Sequence, residues 1–160
     1  MSFAELGRTE VPAPRTELRI EDRTPGAEAL RLNITRPVAG VVVIEAAGVL
    51  DMDSATRFAE VVRANLSTDT RTAVLDLSAL SFLSTHGVVA LLEAAHRALM
   101  RETDLLLVTQ NRIVDRLLGM LDVASRFTYA ATVDAAIQAA GSQSSDGVRR
   151  SGCRVRVPRP

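Results

Sequence analysis

The chain has 160 residues, 47% of them apolar and 3% aromatic, with no tryptophan and a formal net charge of zero. That length suits one domain whose core is built from Val, Leu, Ile and Ala, and the neutral balance gives no ground for nucleic acid or an anionic membrane as a partner. All nineteen basic residues are arginine, which removes the lysine that a Walker phosphate loop, Schiff-base chemistry or a receiver-type phosphorylation site requires.

Residues 1–28 are rich in Pro, Thr, Glu and Arg without a sustained period and are predicted to be a disordered tail. They contain no apolar signal core, and runs such as "LLLV" (Leu105 to Val108) fall far short of a membrane span. The expectation is a cytoplasmic protein. "LRLNITR" (Leu30 to Arg36) alternates like a half-exposed strand, Pro37 to Gly40 make a turn, and "VVVIEAAG" (Val41 to Gly48) is an apolar strand, so the two are predicted to pair as an antiparallel hairpin. A helix follows from about Ser54 to Leu66, with Ala55, Phe58, Val62 and Leu66 on one face and Asp53 or Ser54 suited to cap it.

"TAVLDLS" (Thr72 to Ser78) reads as a buried strand, and Thr85 to Met100 as a helix presenting Val88, Leu91, Leu92, Ala95 and Leu99 to the core. "DLLLVT" (Asp104 to Thr109) is the next strand, and Ile113, Val114, Leu117, Leu118 and Leu121 mark a third helix. "FTYA" (Phe127 to Ala130) is a short last strand, followed by a helix carrying Val133, Ala136, Ile137 and Ala140. Residues 141–160 form a second predicted disordered tail, with five Arg against one Asp and the single cysteine, Cys153, so no internal disulfide can form. The order is an α/β pattern, β-β-α-β-α-β-α-β-α. It predicts one domain over residues 29–140, with a mostly parallel sheet of about five strands, an N-terminal hairpin and about four helices. The pattern leaves open how the helices divide between the two faces.

Little of this chain suits catalysis. Asp76 lies near the end of a buried strand, where its expected role is to cap or brace the loop that follows. His86 and His96 are ten positions apart, about 15 Å on a helix, whereas a helical ligand pair wants a spacing of three or four. No metal or other cofactor is therefore expected, and His96 falls on the solvent side of its helix. Ser84 lacks the G-x-S-x-G elbow of a hydrolase, and His86, two residues away, cannot readily turn back to act as its base. None of these residues supplies the machinery of a hydrolase, a metal site or a phosphotransfer site. What remains is the turn Ser84-Thr85-His86-Gly87, where a strand becomes the N-terminus of a helix. Such a place favours anionic groups, its hydroxyls either cap the helix or stand open to a kinase, and Gly87 removes a side chain where another backbone can come close.

"DLSALSFLSTHGVVALLEAA" resembles the signature of the STAS domain, through Asp76, Leu77, Ser78, Phe82, Leu83 and Gly87. A second block, "AAGVLDMDSATRF", is similar to another family segment through Gly48, Leu50, Asp51, Ser54 and Ala55. The resemblance covers about residues 30–140. It implies a binding protein and not an enzyme, a regulator like the anti-sigma factor antagonists, which bind an anti-sigma factor with Ser/Thr kinase activity and release it when a hydroxyl in this turn is phosphorylated, a phosphatase resetting the switch. By the same resemblance the contact surface would comprise Asp51, Ser84, Thr85, His86, Gly87 and Val88. The family's acceptor immediately precedes the glycine, and here that position is His86. Two readings follow: Thr85, or less readily Ser84, is the phosphoacceptor; or the usual switch is lost and control lies elsewhere, for example at Ser2, Thr9, Thr16 or Thr24 in the tail. A scaffold or adaptor role in a stressosome-like or transport complex is the alternative function, and self-association is left open.

Overall fold

A computed structural model of the chain describes residues 18–21 and 29–144. The expectations for the rest of the two tails lie outside the described residues. Among the described residues six strands form one sheet: β1 (Leu18–Glu21), β2 (Arg31–Thr35), β3 (Val41–Leu50), β4 (Thr72–Leu83), β5 (Asp104–Val108) and β6 (Thr128–Tyr129). Their order across the sheet is their order along the chain. The expected hairpin is β2–β3, antiparallel with Ile34 opposite Ile44, and β3 to β6 run parallel. β1 is an addition to the expected five strands, antiparallel to β2 with Leu18 opposite Ile34. It lies inside the segment predicted to be a disordered tail.

The described residues also include four α-helices: α1 (Met52–Asn65), α2 (Thr85–Met100), α3 (Arg112–Met120) and α4 (Val133–Ser144). The two-residue period of β3 divides them between the faces. Val42, Ile44 and Ala46 join Leu75 and Leu77 of β4 against Phe58 and Val62 of α1, Val88 and Leu91 of α2, and Val114 and Leu118 of α3. The alternate residues Val41, Val43 and Val74, with Val108, pack on Ala136 of α4. Three helices therefore cover one face and a single helix part of the other.

On α2 the buried stripe runs through Val88, Leu91, Ala94 and Ala98, about one position round from the expected one. Leu99, expected in the core, is 74% exposed. On α3 only Val114 and Leu118 are buried, while Ile113 and Leu121, which also marked the helix in the sequence, are exposed.

β4 extends five residues beyond the expected Ser78. It does so by carrying two extra residues against β3: Glu45 pairs with Asp76 but Ala47 with Ala79, and Gly48 pairs with Leu80 but Val49 with Phe82. Each slip is a bulge, which bends the strand and re-aims the side chains beyond it. Gly48 stands opposite the distorted region with φ +95°, and a Cβ there would lie 2.3 Å from the carbonyl oxygen of Ala29, so no larger residue fits.

Candidate functional site

The bulged end of β4 delivers the chain into the Ser84–Gly87 turn. The Ser84 N–H donates to the Leu50 carbonyl at 2.9 Å, the last rung tying the turn to the end of β3. Ser84 is the N-cap of α2, its Oγ accepting the Gly87 N–H at 3.2 Å, so its hydroxyl is engaged and half-buried. Thr85 and His86 are exposed. Gly87 and Val88 are buried, Val88 almost completely. This corrects the expectation that both meet a partner. The close approach that Gly87 permits is to its own chain, where a Cβ would sit 2.6 Å from Leu83 Cδ1 and 3.0 Å from the Leu50 carbonyl oxygen.

Asp51 lies on the same end of the domain, between β3 and α1. It is the N-cap of α1, the structural role open to it from its place before the helix, and takes precedence over Asp53 and Ser54, which are also suited by type. One carboxylate oxygen accepts the N–H groups of Asp53 and Ser54, both at 3.0 Å, while Ser54 Oγ accepts the Asp51 N–H at 2.9 Å, closing a capping box. The Ser54 N–H, above all, holds the Asp51 carboxyl below its ordinary pKa, the Ser54 hydroxyl and Asp53 N–H adding to the effect against an opposing contribution from burial. The carboxylate is thus occupied as a cap while remaining half-exposed.

The bulged strand needs a second support, and Asn111 supplies it. β5 ends its pairing with β4 at Asp76–Val108, so the carbonyls beyond lose their ladder partners. Asn111 Nδ2 lies 2.7 Å from the Leu80 carbonyl oxygen and 3.3 Å from those of Leu77 and Ser78. Its Oδ1 accepts the Ile113 N–H at 3.0 Å and caps α3. Asp76 braces the same stretch, accepting the Ser78 hydroxyl at 2.6 Å and the Ser78 N–H at 3.0 Å. The Asp76 role agrees with the sequence reading. Asn111 has no counterpart in that reading, since its three carbonyl partners lie more than thirty positions away.

Apolar side chains surround the exposed turn. Met52 at the start of α1 is 61% exposed, Val89 on α2 58% and Phe82 at the end of β4 50%. Met52 and Val89, with His86, line the near end of an open groove between α1 and α2. None of the three apolar residues was expected at the site, although Met52 and Val89 lie off the predicted core stripes and so carried a readable signal. Among the described residues, no group of His, Cys, Asp and Glu is placed to hold a metal ion, and no helix is long and apolar enough to cross a membrane. The site is an exposed surface of two polar side chains in an apolar surround.

The fold is shared with solved structures. An anti-sigma factor antagonist from Mycobacterium paratuberculosis superposes with a TM-score of 0.57 at 22% identity, over 81% of this chain and 97% of that one. The Bacillus cell fate determinant SpoIIAA in its phosphorylated form gives 0.56 at 16% identity, over 68% and 98%. The murine anion transporter Slc26a9 gives 0.59 at 17% identity, over 88% of this chain but 24% of the transporter. At these identities the likeness is one of fold. No curated protein matches the chain. The family model of the STAS domain matches residues 34–136, from within β2 to the first turn of α4. Since that match takes in the bulged strand, the turn and well over half of the chain, this protein belongs to the STAS domain family.

Proposed function

We propose that this chain is a regulator of the anti-sigma factor antagonist kind, which binds an anti-sigma factor with Ser/Thr kinase activity and acts by partner switching. The observation that carries the reading is the turn. Thr85 and His86 stand exposed at the head of α2 amid exposed Met52, Phe82 and Val89, which is the mixed apolar and polar make-up of a protein contact. The half-exposed Asp51 and Ser84 belong to the same surface. Its work is binding and not catalysis.

The phosphoacceptor of this turn is atypical. His86 stands where the family carries the acceptor hydroxyl, and the Ser84 hydroxyl is engaged as a cap, so Thr85 is the hydroxyl of the turn open to a kinase. A phosphate on Thr85 would add a charge of about −1.5 to −2 beside the N-terminal end of the α2 dipole, which tolerates it in the free protein. In a desolvated contact the same charge opposes binding. The reading is tested by mixing the purified chain with a kinase-type anti-sigma factor from its own cells, with and without ATP, and following the complex by gel filtration and phosphosite mass spectrometry. A stoichiometric complex that dissociates on phosphorylation, and that Thr85→Glu weakens by roughly tenfold or more, is the expected result. Failure to form any complex would sink the reading. His86 also favours a second one, a scaffold or adaptor without the switch. In that case the complex forms and neither ATP nor Thr85→Glu changes it.

A further inference from the structure

Away from the turn, α2 carries an exposed stripe of which the reading above uses only Val89. Val89, Glu93, His96, Arg97 and Met100 follow one another at spacings of four, three, one and three and share one exposed side of the helix. Two shallow surface depressions run along it: Val89, Glu93 and Arg97 line one, and Glu93, His96, Arg97 and Met100 the other. Val89 stands at one end and Met100, 71% exposed, at the other, with the exposed Arg101 beside Met100. Its middle is an acid–base pair, the Arg97 Nε and Nη2 each donating to Glu93 Oε1 at 3.1 Å.

That arrangement reads the same in both directions. Turn a second α2 antiparallel about a two-fold axis at the level between Glu93 and Arg97, and each glutamate meets the other copy's arginine. The apolar Val89 then meets the other copy's Met100. An interface built on a two-fold axis must be self-complementary in this way, each contact occurring twice. We propose that the stripe is a homodimer contact, two copies of this chain packing through antiparallel α2 helices with Glu93 and Arg97 exchanging partners across the axis. The surface is small and its charges lie toward solvent, so the dimer is weak and sensitive to salt. The inference does not rest on the identity of any anti-sigma factor.

The test is sedimentation equilibrium of the full chain from about 1 µM to about 1 mM, the range in which mass action exposes a weak dimer. Glu93→Arg sets arginines against Arg97 of the second copy, and Arg97→Glu sets glutamates together. Each is expected to weaken association about tenfold or more, with far-UV circular dichroism verifying the fold. The double variant Glu93→Arg/Arg97→Glu restores opposite charges across the axis and is expected to return the dissociation constant to within about threefold of the parent. Raising the salt should weaken the parent and the double variant alike. A chain that stays monomeric throughout leaves the stripe to a different partner and overturns the proposal. So does a dimer indifferent to the single reversals, or a double variant that fails to recover.

Discussion

Replacing Gly87 with alanine would place a Cβ 2.6 Å from Leu83 Cδ1, 2.9 Å from Leu50 Cγ and 3.0 Å from the Leu50 carbonyl oxygen. Two of those neighbours are buried leucine side chains and the third is backbone, so relief requires α2 to move away from the end of β3. Gly87→Ala is expected to lower stability by roughly 1–3 kcal/mol, read from urea denaturation, and to loosen the turn that carries Thr85. Asp51 acts on stability through its charge state. Its pKa is held below the ordinary 3.8, chiefly by the Ser54 N–H, so its stabilising effect is complete above that value and fades as pH falls through the lower value of the folded state. Asp51→Ala should cost about 1 kcal/mol at neutral pH, as removal of an N-cap does. The difference between variant and parent should shrink in strong acid, where only the neutral carboxyl's acceptor oxygen remains to cap the helix. Denaturation curves at a series of pH values check both halves of that expectation.

At the scale of elements, β4 shows where sequence reading stops. Its first part, Thr72 to Ser78, is a near-continuous apolar run and announces a buried strand. The remainder, through Ser81 and Phe82 to Leu83, obeys no simple alternation, because each of the two bulges shifts the inward-facing register by one. The brace that makes this extension tolerable comes from the cap of a different element. Asn111→Ala removes the donor facing the Leu77, Ser78 and Leu80 carbonyls and uncaps α3 in one step. The expected loss is roughly 1–3 kcal/mol, with faster hydrogen exchange at the amides of residues 78–83 while the β2–β3 hairpin keeps its protection. A similar lesson holds for α2, whose span, expected from about Thr85 to Met100, is the one observed. Its buried stripe was misplaced by about one position, since the choice between Ala94 and Ala95, or Ala98 and Leu99, depends on how close the helix lies to the sheet.

For the molecule as a whole, the run of strands and helices from residue 30 onward was readable, because period-two and period-3.6 segments alternate cleanly. The division of helices was not. Crossovers of similar length fit either face, and only the packing shows α1 to α3 together and α4 alone. β1 was missed because its four residues, "LRIE", sit in a segment whose composition argues against structure. The lone α4 makes a direct expectation at this scale. Ending the chain after Ala130 should preserve a sheet with its three-helix face while uncovering Val41, Val43, Val74 and Val108. Such a truncation is expected to retain helical circular dichroism, bind a hydrophobic dye and melt well below the full chain.

Strand order that copies chain order has a consequence for biosynthesis. Every new strand docks beside the one made just before it, so no early segment must wait, exposed, for a distant partner still inside the ribosome. The nascent chain can thus assemble by accretion, growing outward from the β2–β3 hairpin as each crossover helix emerges, with α4 sealing the second face last.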